Sequence, residues 1–258
     1  MMHRTGILIL MICLLTNAAY TQIDKIDVDR PDQTNAPFVM YKGYLQFEMG
    51  ISIQTDNSGE KDFSVPNLMV RYGLFKKAEL RIATTIDHYP IQLSSNETIH
   101  QTGVQPLTIG TKIALAREKK WFPETSLILG LAFPKLASKD LQADKIAPNL
   151  TLSMQNTLSK KWSVAYNIGP SWDGYTNRPS WNYSASFGLD LNENWDTFME
   201  TYGSFSKDDA PGHNVDAGLG YYANENIKFD VSAGVGISKD GPPWFVGIGG
   251  SWRINTRK

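Results

Sequence analysis

From Gly43 to Ile254, residues two apart share a chemistry, and this alternation constrains the fold more than any other feature. In the last segment Trp244, Val246, Ile248, Gly250, Trp252 and Ile254 fall on one face, with Phe245, Gly247, Gly249, Ser251 and Arg253 on the other. Leu45, Phe47, Met49, Ile51 and Ile53 alternate likewise with Gln46, Glu48, Gly50, Ser52 and Gln54. Successive strand residues point to opposite sides, whereas a helix would repeat near 3.6. Twelve segments carry the pattern: 43–54, 65–73, 77–87, 104–116, 121–132, 146–158, 161–172, 179–191, 195–204, 213–222, 226–238 and 243–254. Most reach the roughly nine to eleven residues of a tilted membrane strand, whereas soluble strands average about five or six.

Connections sharpen the reading. Tight ones (Leu74 to Lys76, Arg117 to Lys120, Ser159-Lys160, Asn192 to Asn194, Ala223 to Glu225) alternate with the longer 55–64, 88–103, 133–145, 173–178, 205–212 and 239–242. Short turns at one rim, long loops at the other and an even strand count are the outer-membrane pattern. The expected fold is all-β: a single closed antiparallel transmembrane barrel of about 12 strands in an up-and-down meander over 43–254. Both termini are expected on the short-turn side, the periplasm.

A soluble sandwich would turn its apolar face inward, and a membrane barrel turns it outward. The seven tryptophans favour the barrel. Trp121, Trp162, Trp195 and Trp252 mark the short-turn rim; Trp172, Trp181 and Trp244 mark the long-loop rim. Indole prefers both membrane–water boundaries. Closure follows because unpaired backbone groups in hydrocarbon cost several kcal/mol each, so the first and last segments must pair.

The flanks read differently. His3 and Arg4, the apolar run Ile7 to Leu15 and Thr16-Asn17-Ala18-Ala19 make residues 1–19 an expected cleaved export signal. Cleavage there removes Cys13, the only cysteine, which excludes disulfide scaffolds and cysteine-rich metal sites. Residues 20–42 are expected as a polar periplasmic or lumen segment, and 255–258 as a short tail. A net charge of −1 excludes nucleic-acid binding by phosphate neutralisation. Gly249-x-x-Trp252-x-Ile254 resembles the terminal signal read by the barrel insertion machinery, an expected partner beside outer-membrane lipid. Gly247 and the four-residue tail depart from that signal.

The polar face supplies the candidate site. Arg71, Glu79, Arg81, Lys112, Glu124, Asp190, Lys228, Asp230 and Arg253 fall toward the short-turn end of a lumen, with Glu48 and Glu200 near mid-height. Asp87 and Asp216 stand nearer the outer mouth. Charges in a narrow barrel pair, since desolvating one alone is costly. The layer therefore either braces the wall or forms a constriction that selects solutes. Asp29, Arg30 and Asp32 are placed to join it as a small plug. No catalytic residues, cofactor or metal are expected. His88, His100 and His213 lie in or beside long loops, not one beside a serine on the lipid face, which argues against a phospholipase-like barrel hydrolase.

Several motifs carry a family resemblance. They are Asp29-Arg30-Pro31-Asp32-Gln33-Thr34, Lys42 to Glu48, Val65-Pro66-Asn67-Leu68 with Arg71-Tyr72-Gly73, Pro106 to Lys112, Trp172-Asp173-Gly174 and Trp244 to Gly247. Over about residues 27–254 the chain resembles the transporter-like outer-membrane barrels of the MetA-pathway of phenol degradation family. The resemblance implies a Gram-negative outer-membrane location and transport of small organic compounds. The function expected is therefore a channel for a small-molecule solute. The alternative is a closed structural or surface-interaction barrel using loops 88–103 and 133–145.

Overall fold

The alternation resolves into strands whose polar faces meet across a hollow and whose apolar faces look outward. The computed structural model describes residues 25–55, 59–94, 97–207, 210–238 and 241–257; the expected signal lies outside them. The strands are β1 (Tyr44–Thr55), β2 (Lys61–Phe75), β3 (Ala78–Ser94), β4 (Glu97–Val104), β5 (Leu107–Ala116), β6 (Glu124–Phe133) and β7 (Ala147–Thr157). They continue with β8 (Trp162–Ser171), β9 (Ser180–Asp190), β10 (Trp195–Phe205), β11 (Gly212–Asn224), β12 (Ile227–Gly236) and β13 (Phe245–Asn255).

Each strand pairs antiparallel with its neighbour, and β1 pairs with β13 from Tyr44↔Asn255 to Gln54↔Phe245. Twelve strands thus close the barrel, leaving no edge to satisfy in lipid. The extra strand is β4. It pairs with the upper part of β3, from Ile86↔Val104 onward, while β5 takes the lower part, from Ala78↔Ile113 to Ala83↔Thr108.

The interior is inverted relative to a soluble protein. Gln46, Arg71, Glu79 and Lys112 are fully buried, while Met199, Ile248 and Trp252 are 69%, 53% and 53% exposed. Only an apolar solvent outside makes that arrangement favourable. Aromatic side chains cluster at the tight-turn rim: Trp162 stacks on Phe187 at 4.8 Å, and Trp195 meets Tyr221 at 4.7 Å.

Three boundaries differ most from the expectation, each near a proline. The second strand begins at Lys61, not at 65, because Val65 and Pro66 form a bulge: on the β1 side pairing steps from Ser52↔Ser64 to Gly50↔Asn67. A bulge absorbs the missing proline N–H, so Pro66 interrupts the ladder without ending the strand. The expected loop 88–103 is largely the β3–β4 hairpin. Pro90 stands past His88, the last β3 residue paired with β2, on an edge where no N–H is needed. A break at Gln105-Pro106 then divides the expected segment 104–116 into the end of β4 and all of β5.

Candidate functional site

Residues 25–42 have no regular secondary structure, so their backbone groups need other partners. The inner wall supplies them. Ile26 N–H donates to the Glu225 carbonyl at 2.8 Å, at the tight-turn rim. Asp29 N–H donates to Glu48 Oε2 at 3.0 Å. At the far point of the excursion, Thr34 donates its N–H (3.1 Å) and hydroxyl (2.6 Å) to Glu200 Oε2. Asn35 is gripped from β7 and β8. Its N–H donates to Asn167 Oδ1 at 2.7 Å, and its carbonyl accepts from Ser153 and Asn167 at 2.6 and 2.9 Å. On the return, Lys112 reaches the Ala36 carbonyl (2.7 Å), Arg71 the Phe38 carbonyl (3.2 Å), and Met40 N–H donates to Glu79 (2.6 Å). Gly43 N–H then bonds the Gly73 carbonyl and β1 begins.

The charges beneath this loop form one cluster. Arg71 meets Glu79 at 2.8 Å, Glu48 at 3.1 Å and Asp29 at 3.6 Å. Asp29 also pairs with Lys112 at 3.0 Å and with Arg81. Burial would raise the Asp29 carboxyl, but Arg71, Lys112 and Arg81 together hold it well below the usual carboxylate range. Beside this cluster, Arg30 pairs with Asp230 at 3.2 Å and donates to the Ile248 carbonyl at 3.3 Å. Its guanidinium lies over Gly50 and Gly249, which pair across the β1–β13 seam. A Cβ on Gly50 would stand 2.2 Å from the Arg30 guanidinium carbon, so the missing side chain makes that seat.

Of the expected lumen set, Glu48, Arg71, Glu79, Arg81, Lys112, Glu200 and Asp230 contact residues 25–42 directly. Lys228 pairs with Asp196 at 2.6 Å and lies over the Tyr222 ring, and Arg253 donates to Asn226 and the Glu225 carbonyl. Glu124 accepts from Glu118 N–H at the tight-turn rim, and Asp190 is exposed there. Asp29 and Arg30 enter the ion pairs; Asp32 faces a cavity beside the loop. Asp216 pairs directly across from Glu200, and Asp87 is held by Ser64 and Gln105. Gln46, Ser153 and Asn167 escaped the charge-based reading because they are neutral. Their only signal was a polar residue on the lumen face of an apolar-alternating strand.

Open space remains in the hollow around and above the loop. A cavity of about 1470 Å³ opens at the tight-turn mouth. A cleft of about 370 Å³ runs beside the loop, between Asp32 and Thr34 on one side and Ala165, Ser186 and Gly188 on the other. A third space of about 340 Å³ lies by Thr85, Gln105 and Trp172 toward the long loops. Above that level, the β3–β4 hairpin meets the 134–146 connection: Ser138 N–H donates to the Val104 carbonyl and Ser138 Oγ accepts from Val104 N–H.

The histidine rings bond to hydroxyls other than serine. His88 Nδ1 lies 2.7 Å from Thr102 Oγ1 and the ring stacks on His100 at 5.2 Å, while His213 Nδ1 meets the Tyr183 hydroxyl at 2.8 Å. Among the described residues, no group of three or more His, Cys, Asp and Glu is arranged to hold a metal.

Residues 28–254 match the model of the MetA-pathway of phenol degradation family. The chain belongs to this family. No curated protein matches the sequence. Its fold is similar to that of the COG4313 outer membrane channel from Pseudomonas putida F1, with a TM-score of 0.69, 14% identity, and coverage of 88% of this chain and 100% of that one. The NanC porin aligns with a TM-score of 0.55 and 9% identity over 81% of this chain and 100% of its own. For the KdgM porin the values are 0.52 and 11% over 80% and 98%. These likenesses establish the fold of the family member described here: a closed outer-membrane β-barrel with one strand more than the barrel needs.

Proposed function

We propose that the protein is an outer-membrane channel through which small organic compounds pass passively, narrowed from the periplasmic side by residues 25–42. A hydrophilic, partly hollow interior inside an apolar shell carries this reading. The solved barrels of the same fold whose names describe channels and porins support it. In this reading both termini are periplasmic, because β1 and β13 start and end at the tight-turn rim. The lumen charges act as a constriction: Asp29 and Arg30 seat the plug, with Asp32 beside it, and Glu48, Arg71, Glu79, Arg81, Lys112, Glu200 and Asp230 receive it. Lys228, Arg253, Glu124 and Asp190 surround the periplasmic entrance. Outer-membrane lipid and the insertion machinery are its partners, and no catalysis is assigned to it.

Solutes cross beside the plug, along the cleft walled by Ala165, Ser186 and Gly188. These small side chains leave space where the opposite wall is filled by ion pairs. The packing of the β3–β4 hairpin onto 134–146 favours a second reading, a closed barrel that presents a surface. Liposome swelling separates the two. Proteoliposomes challenged with sugars, amino acids and aromatic acids swell if the channel reading holds; absence of swelling and of bilayer conductance leaves the closed barrel.

A further inference from the structure

The chain is nearly neutral, with a net charge of −1, but its charge is segregated. The large cavity at the tight-turn mouth is lined by ten lysine and arginine residues against four acids. Part of that charge is committed: Arg71 is enclosed by carboxylates and Arg253 by the Glu225–Asn226 turn. Lys76, Lys77, Arg117, Lys160 and Lys161 are exposed, and among the described residues they make no ion pair. They come from three separate turns and converge on one concave space. Like charges brought together this way repel, and a low-dielectric wall focuses their field on whatever enters.

The floor of the same cavity is apolar. Phe38 is 40% exposed and Tyr41 is 47% exposed on the underside of the plug, whereas Ile26, Met40 and Tyr44 beside them are buried. An exposed aromatic floor under a cationic rim is complementary to a solute with a flat apolar body and a negative end. Lys160 and Lys161 also line the cleft beside the plug, so the cations stand where the entrance joins the proposed path.

We infer that this periplasmic entrance is a binding site for aromatic organic anions, with Lys76, Lys77, Arg117, Lys160 and Lys161 holding the carboxylate and Phe38 and Tyr41 the ring. As the substrate class of the pore it rests on the channel reading; as a binding site it is measured without transport.

The test is equilibrium dialysis of the full-length detergent-solubilised protein with benzoate, benzamide and acetate, alongside bilayer conductance. The site predicts saturable benzoate binding that weakens with salt, and binding of benzamide and acetate weaker by about tenfold each. The combined variant Lys76→Gln, Lys77→Gln, Lys160→Gln, Lys161→Gln sits on exposed turns and stays folded. It loses benzoate affinity about tenfold, and Phe38→Ala loses part of it with charge intact. Equal affinity for benzamide, equal affinity for acetate, or no change in the four-lysine variant overturns the site. Binding without conductance sinks the channel reading alone, and conductance without binding sinks the site alone.

Discussion

Asp29 and Lys112, 83 residues apart in sequence, meet at 3.0 Å inside the barrel, with Arg71 3.6 Å from the same carboxylate. This contact ties a chain segment without regular structure to the wall. Neutralising it in Asp29→Asn leaves Lys112 and Arg81 buried without their shared counter-charge. Breaking one member of a buried ion pair costs about 3–5 kcal/mol. Single-channel recording is expected to show longer or more frequent high-conductance openings, while heat-modifiable gel mobility shows that the barrel itself remains folded.

The barrel was legible in the sequence because period two survives through Met49, Ile51, Ile248 and Trp252, where lipid demands apolar groups. Its hollow was legible because Glu48, Arg71 and Lys112 interrupt the polar faces with charge. Two things were hidden. The strand residues before Val65 and beyond Asp87 read as loop in the sequence, although a bulge at Pro66 and a free edge at Pro90 carry the strands further. The hydrogen-bonding roles of Gln46, Ser153 and Asn167 depend on where a remote segment folds back, which no local pattern encodes.

Arg30 and Gly50 offer a second test. The three atoms nearest to a Cβ on Gly50 all belong to the Arg30 guanidinium. Gly50→Ala is therefore expected to push Arg30 from Asp230 and to destabilise by about 1–3 kcal/mol as overpacking. In an Arg30→Ala background the same change is expected to be nearly neutral. Urea unfolding of the four proteins gives the coupling directly.

The cleft beside the plug predicts asymmetric effects of bulk. Ala165 faces it, so Ala165→Trp is expected to lower conductance severalfold with little change in unfolding midpoint. The control Met199→Trp, on the lipid face, is expected to leave conductance unchanged. Equal conductance in all three proteins would move the path elsewhere.

Lipid exposure predicts the sign of a charge scan. Ile248, 53% exposed near the middle of β13, is expected to lose about 2–4 kcal/mol as Ile248→Arg. The adjacent lumen position, Gly247→Ser, is expected to be tolerated. Folding titrations into lipid vesicles measure both.

Acid is expected to leave the Asp29 anchor of the plug charged. A carboxylate whose folded-state value is lowered contributes docking stability above the ordinary 3.8 and loses it only as pH falls toward the lower value. For Asp29 the direction is downward, so acidification from neutral pH to about 5 does not protonate it. Conductance recorded across that window tests this, and a large rise above pH 5 would place the controlling titration on another group.

Single-channel conductance of the full-length protein against a variant lacking residues 20–35 tests the central claim most directly. Removing the plug from a hydrophilic lumen is expected to raise conductance severalfold, with the folded barrel retained. Identical conductance in the two proteins, or none in either, would contradict it.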